Sequence, residues 1–225
     1  MSLFPSRYPV EHPDRIQLYS LPTPNGVKAG IVLEELELPY EPHRVDIGQN
    51  WQFDEDYKVI SPNSKIPAIV DPDGPGGQPL ALMESGAILI YLARKAGRLL
   101  PSDPRAEIET LQWTFFQVGH VGPMFGQFGH FFKFAKGKTD TYGEERYTKE
   151  ANRLLGVLDG RLADRKWLIG DDYTIADIMT VPWVNALEFY GGKEAVGYDQ
   201  FANVQRWVDQ FLERPAVQRG AKVNA

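Results

Sequence analysis

The chain contains no cysteine among its 225 residues. That excludes a disulfide framework and any thiolate-ligated metal site. It also means that, if the protein handles thiols or disulfides, the reacting sulfur must come from a ligand. No apolar run approaches the roughly eighteen residues needed to cross a bilayer, so no membrane partner is expected. The opening MSLFPSRYPVEHPD lacks the apolar stretch of a secretory signal, and a cytoplasmic location is expected. Basic residues are outnumbered: the net charge of -6 argues against binding nucleic acid through the protein's field. The histidines, His12, His43, His120 and His130, show no ligand spacing, so no metal is expected. There is no internal repeat and no low-complexity tract. What remains, 43% hydrophobic and 24% charged, is the composition of an ordinary globular chain long enough for two modest domains.

Periodicity divides the chain. Residues 1–13 hold three prolines and no pattern, and read as an extended arm. Ile16–Ser20 alternates like a half-buried strand. Leu21-Pro-Thr-Pro-Asn-Gly26 is a turn, and Val27 to Leu38 places Val27, Ile31, Val32 and Leu36 on one helical face until Pro39. Pro42 to Ile47 gives a second strand, and Gln52 to Ile60 a short irregular helix or loop. Ala68–Val70 and Leu80–Met83 flank a Gly/Pro-rich loop, a hairpin signature, and a helix opens near Glu84. Strand–helix–strand followed by strand–strand–helix is the thioredoxin-like order, with a right-handed first crossover and parallel first strands. Leu99–Pro104 breaks the pattern as a linker. Helical segments follow near 104–135, 143–164, 174–189 and 200–213. The expected organisation is a 14–98 thioredoxin-like domain with a mixed four-stranded sheet, a 99–103 linker and an all-helical 104–225 domain.

Chemistry concentrates in SPNSKIPAIVDPDGPGGQPLALMESGAILIYL, residues 61–92. Glu84 and Ser85 stand where a strand ends and a helix begins. Free N–H groups at a helix start favour anions, so this corner suits a ligand carboxylate. A serine there is also an ordinary cap. Ile66-Pro67 opens the third strand, where proline is tolerated because a first strand residue need not donate to the ladder. The Gly74–Gly77 loop lacks the lysine and the strand–loop–helix setting of a phosphate cradle.

In thioredoxin-like folds the turn after the first strand carries the reactive group. Here it reads Thr23-Pro24-Asn25-Gly26, which is also good turn-and-cap chemistry. A ligand thiol placed there would face the start of the following helix. Helix N-termini lower a thiol pKa from its ordinary value near 8.5. Thr23 and Asn25 would donate to the thiolate without titrating themselves.

K-I-P-A followed by E-S-G-A-I resembles the glutathione-binding half of glutathione transferases. Most of that family use a Tyr, Ser or Cys near the first turn. S-x-x-T-P-N-G with N-x-K-I-P-A-I and E-S-G-A-I-L is similar to the Nu-class branch, which with its close relatives includes glutathione-dependent disulfide-bond reductases and a regulatory prion protein. The likeness continues through Leu111-Gln-Trp, Gly122-Pro-Met, Ala176-Asp-Ile and Arg214-Pro-Ala. It implies Thr23 and Asn25 at the glutathione sulfur, with Ser20 a lesser competitor. It implies Gln52 and Lys65 near the glycyl carboxylate and the Ile66 backbone, before a cis Pro67, against the cysteinyl unit. Glu84 and Ser85 would hold the γ-glutamyl group, and Arg146, in E-E-R-Y, would reach glutathione from the helical domain, in cis or across a homodimer.

Two further features belong to the helical half. Thr174-Ile-Ala-Asp177 is a capping-box pattern with Tyr173 and Ile178 placed as a staple, and reads as structural. Trp113 and the phenylalanines from Phe115 to Phe134 read mainly as core, interrupted by a kink at Gly122-Pro123. Phe125 and Phe128 are the candidates for an acceptor pocket over the sulfur. The expected function is a glutathione-dependent disulfide reductase with glutathione as co-substrate. Conjugation of an apolar electrophile and a non-catalytic glutathione-binding module are the alternatives.

Overall fold

The computed structural model describes residues 3–138 and 140–225, in two compact units. One comprises the chain up to Arg98 together with Pro215–Ala225, the other Leu99–Arg214.

The first unit is built on a sheet of β1 (Ile16–Ser20), β2 (Tyr40–Arg44), β3 (Ala68–Asp71) and β4 (Leu80–Met83), in the order β2-β1-β3-β4. β1 runs parallel to β2, while β3 is antiparallel to both β1 and β4, so the sheet is mixed and thioredoxin-like. The parallel pair is joined by α1 (Gly26–Leu36); a short α2 (Tyr57–Ile60) precedes the hairpin and α3 (Ser85–Ala96) follows it. β1 is buried along its whole length rather than half-buried as its alternation predicts. The reason is Gln17, whose polar atoms are satisfied inside the fold. Its Nε2 donates to the His12 and Arg15 carbonyls, each at 2.9 Å, and its Oε1 meets His43 Nε2 at 2.7 Å.

Residues 3–13 are not a separate arm. Tyr8 is buried edge-on to Tyr19, their ring centroids 5.4 Å apart, in a cluster with Val45, Tyr57, Ile60 and Val70. The segment is fastened by Ser6, whose N–H donates to Asp56 at 2.6 Å, and by the Arg7–Asp54 ion pair at 2.5 Å. The expected 104–225 span also changes at its end: α9 (Pro215–Gly220) packs on α1 in the first unit. Gly30 and Gly220 make the approach close, since a Cβ on Gly30 would lie 2.6 Å from the Gly220 carbonyl oxygen. Arg219 pairs with Glu34 at 2.6 Å and Asn224 donates to the His43 carbonyl at 3.1 Å, which ties the tail down.

The second unit contains α4 (Pro104–Phe116), α5 (Gly122–Gly129), α6 (Tyr142–Leu162), α7 (Ile175–Tyr190) and α8 (Ala202–Leu212). The expected break at Gly122-Pro123 appears instead as a π-helical turn over Gln117–Val121, immediately before the proline. A widened turn accommodates a residue that has no N–H to donate. No helix among the described residues is long and apolar enough to cross a membrane.

Asp177 is fully buried at the start of α7 and does more than cap it. It completes the capping box with Thr174, accepts the Leu168 N–H at 3.0 Å, and accepts Trp207 Nε1–H from α8 at 2.9 Å. Burial pushes its carboxyl up to about 6, against the pull of these donors. Asp177→Ala strands several buried donors at once and is expected to cost about 3 kcal/mol, well beyond a lone cap. Urea unfolding checks this; a loss under about 1 kcal/mol would reduce Asp177 to a cap.

Candidate active site

Three segments of the first unit form a cavity of about 260 Å³ lined by Asn25, Ser61, Asn63, Lys65, Ile66, Pro67, Met83, Glu84 and Ser85. At the β1–α1 corner the turn is held from inside. Ser20 Oγ–H donates to the Gly26 carbonyl at 3.0 Å, and Thr23 Oγ1 accepts the Gly26 N–H at 3.2 Å. Thr23 therefore caps α1, and Asn25 makes no side-chain cap bond. Gly26 is required by space: a Cβ there would sit 1.9 Å from the Leu21 carbonyl oxygen.

Opposite, the Ile66–Pro67 peptide is cis, and the loop before it hangs on the Lys65 carbonyl. That oxygen accepts from Ser61 Oγ at 2.8 Å and from Tyr57 Oη at 3.0 Å. This leaves the exposed Lys65 side chain on a fixed stem. At the β4–α3 corner Glu84 adopts φ 70°, ψ 115°, unusual for a residue with a side chain, and Ser85 begins the helix. The left-handed turn exposes the Glu84 carboxylate while its carbonyl accepts the first helical bond, from Ile88 N–H at 2.9 Å.

The cavity is thus flanked by two helix starts, one carboxylate and one lysine. Such a set fits a zwitterionic ligand: α3's N–H groups and Lys65 suit carboxylates, and Glu84 suits an ammonium. Behind it lies Lys28, fully buried on the first turn of α1, with Nζ donating to Asn25 Oδ1 at 2.8 Å. Burial pushes this ammonium well below its ordinary range, and the Glu84 carboxylate pulls in the opposite direction.

The glutathione S-transferase N-terminal domain model matches residues 23–95, and the C-terminal domain model matches residues 121–215. The disulfide-bond oxidoreductase YfcG of Escherichia coli is 47% identical over 202 residues, covering 89% of this chain and 92% of the relative. The chain belongs to the glutathione S-transferase family. A Pseudomonas fluorescens glutathione transferase family member, solved with two glutathione bound, matches with a TM-score of 0.95 at 55% identity, over 96% of each chain. A Pseudomonas putida glutathione transferase, solved with one glutathione disulfide per subunit, matches with a TM-score of 0.94 at 53% identity, over 97% of this chain and 96% of that one.

Of the residues that the glutathione transferase resemblance singles out, Asn25, Lys65, Ile66, Pro67, Glu84 and Ser85 line one cavity. Thr23 stands behind them as the cap. Ser20 is 2% exposed and turned into the β1–α1 junction, so its hydroxyl is structural. Gln52 is not among the lining residues; it sits on the Trp51–Phe53 turn with its Oε1 buried and unpartnered. Arg146 belongs to the second unit, where it lines a cavity of about 930 Å³ with Tyr142, Tyr147, Lys149 and Arg153.

Phe125 and Phe128 correct the acceptor-pocket expectation: both are 0% exposed within the helical unit, and Phe128 stacks on Phe132 with centroids 5.0 Å apart. A fully enclosed ring presents no face to a ligand, so both are core. Sequence reasoning missed Asn63, Met83 and Lys28. Asn63 lies inside the motif N-x-K-I-P and was there to be read. Nothing in the pattern distinguishes Lys28 from a solvated helix residue. No group of three or more potential metal ligands occurs among the described residues.

Glu84→Gly tests whether the corner is shaped for its side chain. Relief of the positive φ offsets glycine's unfolded-state entropy, so stability is expected to change by no more than about 1 kcal/mol. A larger loss in urea titration would mean that the carboxylate itself holds the corner together.

Proposed function

We propose that this protein is a glutathione-dependent disulfide-bond reductase of the Nu-class branch, acting as a cytoplasmic homodimer with glutathione as co-substrate and no metal. The observation that carries the reading is the polar cavity between the α1 and α3 starts, in a chain that has no sulfur nucleophile of its own. The similarity to a named disulfide-bond oxidoreductase, and to structures holding glutathione or its disulfide, points the same way.

In this reading Glu84 and the Ser85 helix start take the ammonium and carboxylate of the γ-glutamyl end. Lys65, with Gln52 further along, serves the glycyl carboxylate, and the Ile66 backbone meets the cysteinyl unit. Arg146 is assigned to glutathione as a second cation. The cysteinyl sulfur then faces the start of α1, where Asn25 and the Thr23 hydroxyl lower its pKa by stabilising its charge. The bound thiolate attacks one sulfur of a disulfide; a glutathione mixed disulfide forms and the other sulfur leaves as a thiolate. A second glutathione thiolate attacks the mixed product, giving glutathione disulfide and the second freed thiolate. Two glutathiones lose two electrons, one disulfide gains them, and the protons shed by the glutathiones end on the released thiols. The protein supplies orientation and charge stabilisation.

Turnover of hydroxyethyl disulfide with glutathione is expected. Absence of turnover beside rapid conjugation of an aryl halide would overturn the reading in favour of transferase chemistry, and retention on immobilised glutathione with neither activity would favour a binding module. Asn25→Ala is expected to slow turnover by about a hundredfold, the scale of one lost charge-stabilising donor, while glutathione affinity changes by less than about threefold. An unchanged rate would remove Asn25 from the mechanism.

A further inference from the structure

Lys28 is fully buried on the first turn of α1, and the reduction chemistry above makes no use of it. Enclosing an amine is costly unless it finds acceptors or an opposite charge. Here it meets Asn25 Oδ1 at 2.8 Å, and the charged group facing it from the β4–α3 corner is the Glu84 carboxylate. Both of those partners line the cavity, while Lys28 does not reach it. The amine thus sits behind the wall that the ligand touches.

The chemistry of the pair fixes an orientation. Lys28 Nζ donates to the oxygen end of the Asn25 carboxamide, and in its charged form the amine, with donors and no acceptor, admits only that end. The planarity of the amide then turns both Nδ2 hydrogens away from Lys28. We propose that Lys28 is a positioning residue that locks the Asn25 side chain with its NH₂ group presented to the ligand sulfur, and places a positive charge behind that wall to favour the thiolate. The inference rests on the cavity being the thiol site and names what sets its strongest donor. Burial disfavours the Lys28 charge in the empty site, and an anionic sulfur in the cavity favours it, so ligand ionisation and the Lys28–Asn25 bond reinforce each other. Without the Lys28 bond that hold on the oxygen end is lost, and a turned amide would offer the sulfur an acceptor, which repels a thiolate.

The test is a double-mutant cycle on the whole protein, with glutathione and hydroxyethyl disulfide as substrates and the ultraviolet absorbance of the thiolate reporting ionisation of bound glutathione. Lys28→Met is expected to slow turnover at least about tenfold and to raise the apparent pKa of the bound thiol by about one unit, with glutathione affinity within about threefold. Combined with Asn25→Ala, the two losses should fall well short of multiplying, because both variants remove the same donor and only the Lys28 charge remains to be lost. Wild-type turnover in Asn25→Ala would remove Asn25 from the mechanism and the Lys28 proposal with it, whereas no turnover in the unmutated protein would sink the thiol-site reading itself. An impaired Asn25→Ala beside a Lys28→Met of normal rate and normal thiol ionisation, or losses that multiply in the double variant, would overturn the role of Lys28 alone. Should Lys28→Met not fold, Asn25→Asp decides. It keeps an oxygen for Lys28 and deletes the NH₂ group, so it is expected to be as slow as Asn25→Ala, and a wild-type rate would overturn the proposal.

Discussion

The β1–α1 junction is the constraint on which the site depends. A strand ending in Ser20 must turn into a helix starting at Gly26, and the two are clamped by the Ser20 hydroxyl on the Gly26 carbonyl. The clamp brings the Leu21 carbonyl so close to Gly26 that no Cβ fits between them. That closeness is what sends the intervening Thr23 and Asn25 outward as a compact turn instead of a loose loop. The same junction sits beside β3, because β1 pairs with both β2 and β3, and β3 begins directly after the Ile66–Pro67 peptide. Strand pairing alone therefore carries the Asn25 turn to the Lys65–Pro67 loop, and β4, paired to β3, delivers Glu84 and Ser85 to the same place. Three segments far apart in sequence converge because one sheet orders them.

Charge completes what the sheet arranges. The charges at the cavity are held differently, Glu84 by a backbone turn and Lys65 by a carbonyl anchored to Ser61 and Tyr57, while Lys28, behind the wall, is held by burial. A carboxylate held out at a left-handed turn and an amine sealed behind an amide are both unfavourable in isolation. The Glu84 carboxylate favours the charged form of the buried amine, against the pull of burial. A site of this kind stores its selectivity in the empty protein rather than acquiring it when the ligand arrives.

Much of this was legible in the sequence, for physical reasons that can be named. Strand and helix positions followed from periodicity and from Gly and Pro punctuation, and Ala68–Asp71, Leu80–Met83 and the Ser85 helix lie within a residue or two of where the pattern put them. The Glu84–Ser85 corner stood out because the N–H groups of a helix start suit an anion and because E-S-G-A-I resembles the glutathione transferase motif. What stayed hidden was whatever depends on packing. β1 looked half-buried because Gln17 is polar, and only the carbonyls of His12 and Arg15 and the His43 ring make its burial possible. Phe125 and Phe128 were indistinguishable from pocket aromatics until their enclosure was known. Asp177 read as a cap, since its bonds to Leu168 and Trp207 come from other segments. Lys28 was invisible for the same reason: spacing says where a residue falls on a helix, not what seals over it.

The two ends of the chain show how far the first unit departs from a self-contained thioredoxin-like domain. One face of its sheet is closed by α2 together with Tyr8, from a proline-rich segment with no periodicity at all. The outer side of α1 is closed by α9, which follows more than a hundred residues of a different unit. The Gly30–Gly220 approach admits no side chain on either helix, so α1 lies against the tail backbone to backbone, and Arg219 and Asn224 tie the tail's remaining length to Glu34 and His43. The helix whose start borders the cavity is thus braced by the last residues of the chain. The contacts of α9 and the tail with α1 help to set where α1 lies, and with it the turn that carries Asn25.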